Sequence, residues 1–203
     1  MKHKLFFTPE IRLDFDWKGK YHLRAGSVQP HNKKQISEGL RDMGPESIRN
    51  RFLGSKRDFS EQELQYLTVL DGWNHYAFGI EEREKLKRGV GIIRLVRSSH
   101  SEKEAEIAIT IIDEYQRMGL GEFLLNLIIL AAIEREIEIL SFTFLPQNTS
   151  IHRLVKKAGV PIPGPHNQDY TQLFLDVKTL DVEKIKSRLR PILPAIDNFH
   201  LKT

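Results

Sequence analysis

The stretch "DEYQRMGLGEFLL", Asp113 to Leu125, sets two glycines one residue apart where a nearly unbroken apolar run begins. Glycine weakens a helix and adds no side chain to a core, so the pair marks a place where the backbone itself is needed. A strand ending near Ile112 leads into Gln116–Gly121, and the following "EFLLNLIILAAIER" is apolar on nearly every face. That pattern predicts a buried helix. N–H groups at the start of such a helix carry a partial positive charge, and the missing Cβ at Gly119 and Gly121 lets phosphates approach the backbone. Arg117 could add a charge-assisted contact. There is no Lys followed by Ser or Thr, as a Walker loop requires, and no first glycine of a GxGxxG fingerprint. The residues alone leave two readings: a pyrophosphate cradle, or a tight strand-to-helix turn with glycines for packing.

Outward from the turn, "NHYAFGIEE", "GVGIIRLVRS" and "EAEIAITIID" read as three consecutive antiparallel strands. Beyond the buried helix come a strand in "IEILSFTFL", a helix in "NTSIHRLVKKAGV" with Asn148 or Thr149 at its start and Gly159 at its end, and a strand in "YTQLFLDV". Toward the N-terminus, 21–29 reads as the first strand. Helices follow from Ile36 to Phe52, and another opens at Ser60 with Glu63 completing a capping box. The tail holds a charged helix, "DVEKIKSRLR", expected to pack loosely or to cover an edge. The order predicts an α/β fold with a mixed, mostly antiparallel sheet, because only strands joined across a helix need parallel neighbours.

The 203 residues suit one domain, and 40% apolar with 29% charged residues is ordinary for a folded soluble chain. Without cysteine there is no disulfide, thiolate metal site or cysteine nucleophile, which fits the cytoplasm. The N-terminus carries no signal-peptide pattern, and the apolar run, interrupted by Asn126, is too short for a membrane span. The formal charge of +4 is scattered among acids, so neither nucleic acid nor a membrane surface is expected as a partner. The eight histidines show no ligand spacing, and no metal is expected.

Gln116–Arg117–Met118–Gly119–Leu120–Gly121 resembles the Q/R-x-x-G-x-G/A signature of the GNAT superfamily of acetyl-CoA-dependent N-acetyltransferases. "AEIAITIIDEYQRMGLG", "LPQNTSIHRLVKKAGV" and "GPESIRNRFLGSKRDFSEQELQYLTVLDGWNHYAFGI" are similar to segments of bacterial Pat-type protein lysine acetyltransferases. The resemblance covers about 20–177, with 1–19 as an extension and 178–203 as a helical tail. It implies a GNAT fold whose acetyl-CoA cleft opens between two splayed strands, with a β-bulge at the splay. It also implies that Gln116, Arg117, Met118, Gly119, Leu120 and Gly121 hold the pyrophosphate. Ile109 and Ile111 would offer backbone groups to the pantetheine arm, and Asn148 would contact the cofactor near its thiol end unless it is only a helix cap.

Acetyl transfer to an amine needs the neutral amine, whereas a lysine ammonium has a pKa near 10.4. Glu106, ten residues before Gln116, matches the position of the Pat-type glutamate general base; without the resemblance it would read as an exposed strand carboxylate. A backbone N–H near Ile107 to Ile109 would meet the oxyanion. The tyrosine that many family members use to protonate the thiolate is replaced by Val155, as in the Pat-type pattern. Tyr115, His152 and His75 read as structural or exposed. The resemblance implies an acetyltransferase for a protein lysine, with a small amine as the alternative acceptor and a non-catalytic acyl-CoA-binding module as the alternative function. Gln35 to Leu70 and the "HNQD" turn near Asp169 would shape the acceptor cleft.

Overall fold

The computed structural model describes residues 5–56, 58–84 and 88–200. The chain opens with a hairpin of β1 (Arg12–Trp17) and β2 (Tyr21–Ser27), its turn made by left-handed residues at Lys18 and Gly19. The predicted first strand is therefore the second. β1 alternates Leu13, Phe15 and Trp17 toward the protein with charged residues toward solvent, the period of two that a half-buried strand requires. Three helices follow: α1 (Lys33–Arg41), α2 (Pro45–Phe52) and α3 (Glu61–Thr68). The capping box at α3 forms as predicted, with the Glu63 N–H donating to Ser60 Oγ and the Ser60 N–H to Glu63 Oε2.

β3 (His75–Glu82), β4 (Gly89–Arg97) and β5 (Glu104–Ile111) form the expected meander. α4 (Leu120–Glu134) then crosses to β6 (Ile139–Phe144), followed by α5 (Thr149–Ala158), β7 (Ile162–His166), β8 (Thr171–Asp176) and α6 (Val182–Leu189). The sheet order is β1-β2-β3-β4-β5-β6-β8-β7, and every pairing is antiparallel except β5 with β6, the pair that α4 connects. β7, with Pro163 and Pro165, occupies the edge, where a strand tolerates missing N–H donors.

α4 is buried from Leu120 to Ala132 on every side except Gly121 and Glu122, which explains its unbroken apolar sequence. One flank meets the sheet and another meets α6. The tail does not pack loosely: Ile185, Leu189, Leu193, Ile196 and Phe199 are all buried in the main core. Phe199 also stacks against Phe6 and Phe7 of the N-terminal segment, with centroids 6.0 and 5.9 Å apart. Residues set outside the domain by resemblance thus contribute core at both ends. Arg135, fully buried, is satisfied by the carbonyls of Phe7, Gly72 and Ala131 at 2.8–2.9 Å and by Glu134 at 3.6 Å.

Strand alternation assigns the two faces of the sheet. Ile109 on β5 reaches toward Gly121 and so lies on the α4 face. Ala108 and Thr110 line a space beneath α1 and α2 on the other.

Candidate functional site

β5 and β6 pair only over Glu104–Glu106 and Ile139–Ser141; beyond that the two strands part, while β6 remains paired with β8. The opening therefore begins beside Glu106. No bulge produces it, contrary to the expectation from the family: the β4–β5 register runs unbroken from Gly91↔Ile111 to Arg97↔Ala105. β6 stays paired with β8 along its whole length, so the parting is the end of the β5–β6 ladder alone.

The Ile112 N–H donates to Val90 O on β4. In an antiparallel ladder the hydrogen-bonding edge alternates, so Ile107, Ile109 and Ile111 turn their N–H and C=O groups away from β4, into the opening. The Ile107 N–H is used by the last ladder pair with Ser141, and Gln116 Nε2 donates to Ile111 O at 3.0 Å, leaving the C=O of Ile107, the backbone of Ile109 and the N–H of Ile111 facing the gap.

The glycine turn closes the far end. A short 3-10 turn at Asp113–Tyr115 leads to Gln116, then the chain passes through left-handed conformations at Arg117 (φ 59°) and Gly119 (φ 95°) before α4 begins. Gly119 is the N-cap and offers no side chain to cap the helix, so the first N–H groups of α4 are left for a ligand. A Cβ on Gly119 would stand 3.4 Å from the Trp17 ring, in a conformation L side chains rarely adopt. At Gly121 it would meet Leu154 and Ile109 at 3.7 and 3.8 Å, ordinary contacts. Gly119 is thus required by the backbone and Gly121 is not. The two positive φ values, the uncapped helix start and the exposed, uncompensated Arg117 fit a pyrophosphate.

Side-chain contacts hold the turn. Gln116 Nε2 also lies 2.9 Å from Ser47 Oγ and Asp113 Oδ1, so its amide nitrogen anchors the loop. Asp113 in turn accepts from Gly44 N at 2.7 Å and from Ser47 Oγ, tying the turn to the start of α2. Trp17 Nε1 donates to Met118 O at 3.1 Å, and its ring packs on Phe123. Trp17 was not singled out from sequence because it lies in the stretch read as an extension; its place at the end of an alternating Leu13, Phe15, Trp17 run was the available signal. Tyr115 is buried, as expected for a packing residue, and burial together with Glu82 pushes its hydroxyl above the usual tyrosine range; the Leu120 side chain is also buried, so only its backbone is left for the pyrophosphate contact expected of it.

Glu106 is exposed and shares its face of the sheet with Val96 and, across the parallel pair, Ser141. Two residues along, on the same face, Arg94 pairs with Ala108. Arg94 is 4% exposed, and its Nη1 and Nη2 donate to His75 Nε2 and to Leu67 O. Burial, reinforced by Arg51, pushes Arg94 down to about 10, and burial with Arg94 pushes His75 down to about 4. At neutral pH the pair is a cation on a neutral imidazole. Arg51 of α2, held below the usual arginine range by burial and drawn back by Glu106, joins them. Arg51 belongs to the Ser–x–x–x–Arg–Phe helix that carries part of the resemblance, with no role assigned to it from sequence, and Arg94 was not foreseen; a charge in the middle of "GIIRLVR" was its sequence signal.

Asn148 Oδ1 accepts from Ile151 N at 3.4 Å, so the side chain caps α5. Val155 is fully buried on the same helix, which leaves no proton donor at that position. Among the described residues no cluster of three or more His, Asp or Glu could hold a metal, and no helix is long and apolar enough to cross a membrane.

A sheet parted at one parallel pair, with backbone groups along the gap and an uncapped helix start at its end, defines the acyl-CoA-dependent N-acetyltransferase class. The sequence profile of the acetyltransferase (GNAT) family matches residues 46–160, and the chain belongs to that family. It is 27% identical over 157 residues to acetyltransferase Pat of Mycolicibacterium smegmatis; the match takes in 76% of this chain but 45% of that protein's length. The GNAT domain of S. lividans PAT superposes with a TM-score of 0.71 at 18% identity, covering 81% of this chain and 96% of that one. Spermidine N-acetyltransferase of Vibrio cholerae, in complex with CoA and spermine, gives 0.61 at 16%, covering 77% and 96%. These two superpositions speak for the fold.

Proposed function

We propose that this protein transfers the acetyl group of acetyl-CoA to a primary amine, that of a protein lysine, with Glu106 as general base. The observation that carries the proposal is the position of Glu106, at the residue pair where β5 and β6 part. There a carboxylate meets the line of free backbone groups that would bind the pantetheine arm.

At pH 7 roughly one lysine side chain in 2,500 is neutral, so removal of a proton gates attack on the thioester carbonyl. Glu106 takes that proton directly or through a water. As the amine nitrogen bonds to the carbonyl carbon, the oxyanion is met by an N–H of the Ile107–Ile109 segment; loss of the C–S bond releases the thiolate of CoA, and the nitrogen gives up its second proton to solvent to leave the neutral amide. Buried Val155 supplies no proton to that thiolate, which takes one from solvent. The loop from Gln116 to Gly121 and the start of α4 bind the pyrophosphate, with Arg117 alongside. Asn148, whose carbonyl oxygen caps α5, has its amide N–H groups left for the thiol end of the substrate.

The lysine acceptor is supported by the identity to acetyltransferase Pat. A small amine is the second reading, supported by the partly open cavity beneath α1 and α2. Mass spectrometry of lysine acetylation in a cell extract incubated with acetyl-CoA, with and without the protein, tests the first. New acetyl-lysines dependent on Glu106 support it; acetyl-CoA binding with no acetylated acceptor returns the protein to a binding module.

A further inference from the structure

Beneath α1 and α2 lies a cavity of about 140 Å³ on the face of the sheet opposite α4. Its floor includes Gly79 and Ala108, while the Arg12 side chain covers the backbone of Gly26. Two guanidinium groups, Arg51 and Arg94, line the end of this cavity nearest Glu106.

Neither guanidinium forms a hydrogen-bonded ion pair among the described residues. Buried Arg135 shows how this protein satisfies a guanidinium, with three carbonyls and a carboxylate. Arg94 has a neutral imidazole and one carbonyl, which occupy two of its five N–H donors. Arg51 has no hydrogen-bond or ion-pair partner among the described residues; its contact is the Phe52 ring at 5.1 Å, and Glu106 acts on it from beyond 4 Å. Two like charges held together against a dry wall, each with donors unused, are costly unless an anion completes them. A third polar group is also unsatisfied: Gln35 Oε1, in the wall of the same cavity, is buried without a hydrogen-bond partner.

We propose that the cavity beneath α1 and α2 is the acceptor subsite, and that Arg51 and Arg94 bind a carboxylate carried by the acceptor while its amine reaches Glu106. Arginine suits this because its planar fork matches a carboxylate in two parallel hydrogen bonds. The same charges repel polyamines. Which molecule carries the carboxylate, a free amino acid or an acidic residue beside a target lysine, rests on the acetyltransferase reading. Carboxylate binding itself does not.

The first test is binding without turnover, by ligand-observed NMR with N-acetylglycine and its neutral amide, N-acetylglycinamide. The intact protein is expected to bind the acid at least about tenfold more tightly than the amide, and Arg51→Gln to remove that preference. Arg51→Lys, which keeps the charge and loses the fork, should retain part of it. Equal binding of acid and amide to the unsubstituted protein overturns the proposal, and that comparison stands even if a variant fails to fold. The second test measures KM for free amino acids against their amides, and for lysine peptides with Asp or Glu beside the lysine against Asn or Gln. A lower KM confined to the acidic peptides assigns the carboxylate to a protein target, and one confined to free amino acids assigns it to a small acceptor. No preference in either set overturns the proposal. Turnover of no acceptor, with the acid still bound over the amide, would refute the acetyltransferase reading and leave the carboxylate site standing.

Discussion

Replacing Gly119 by alanine strains the cofactor turn without touching any group proposed to contact the amine. Gly119 has φ 95°, and the added Cβ would stand 3.4 Å from Trp17 Cζ2, tight for a ring already fixed by its N–H bond to Met118 O. Forcing a non-glycine residue into the left-handed region costs about 1–2 kcal/mol, before any contact with the ring. If the turn keeps its shape, the whole protein bears the cost, and a chain of this size should melt about 2–8 °C lower. If the turn relaxes instead, the N–H groups at the start of α4 lose their aim, and acetyl-CoA binding should weaken by a similar energy, about 5- to 30-fold. Gly121→Ala is the control: its Cβ meets Leu154 and Ile109 at ordinary distances, and alanine is favoured over glycine in a helix by about 1 kcal/mol. Its melting point should equal or exceed that of the unsubstituted protein. Calorimetric titration with acetyl-CoA and thermal melts of both variants give the two numbers. A Gly119→Ala protein with unchanged melting and unchanged affinity, or a Gly121→Ala protein damaged as much, would refute the assignment of the turn's shape to Gly119.

Three further outcomes follow from the site's surroundings. Trp17→Phe keeps the ring packing on Phe123 but removes the bond to Met118 O, so the KM for acetyl-CoA should rise about fivefold with kcat nearly unchanged; an unchanged KM would show that the loop holds itself. His75, depressed to about 4 in the folded protein against an ordinary 6.5, binds its proton more readily when unfolded. Stability should therefore be complete above about pH 6.5 and fall as the pH drops toward 4, and the urea midpoint of His75→Gln should fall less between pH 7.5 and 5; parallel declines would contradict the buried neutral imidazole. Asp113→Asn weakens the charge-assisted bonds to Gly44 N and Ser47 Oγ that tie the turn to α2, and should lower the melting temperature by a few degrees, read in the same thermal melts.

Local signals made the inner sheet and its helices legible. Alternation and β-branched content marked β3 to β6, the glycine pair marked the start of α4, and Ser60 with Glu63 marked the start of α3. What escaped depends on distant partners. β7 contains two prolines in five residues and becomes a strand only because β8 offers it an edge. The tail looked charged, yet α6 buries Ile185 and Leu189 against α4, whose apolar back needed a cover. β1 was legible as an alternating strand but lay before the region of resemblance. At the site, the turn and Glu106 were proposed from residue pattern and family resemblance. Trp17, Asp113 and the two cavity arginines act across 50 to 100 residues of sequence or between separate elements, where spacing carries no signal. The expected bulge is absent: the β4–β5 register is unbroken, and β5 and β6 part where their ladder ends after Glu106 and Ser141.

The central claim is that Glu106 moves a proton and does not hold acetyl-CoA. Steady-state kcat with a saturating amine, measured beside the calorimetric affinity for acetyl-CoA in Glu106→Gln, separates the two directly. The account predicts a kcat lower by about 10²- to 10⁴-fold with acetyl-CoA affinity within a factor of two of the unsubstituted protein. A variant that retains its kcat, or one that loses acetyl-CoA affinity in step with activity, would contradict it.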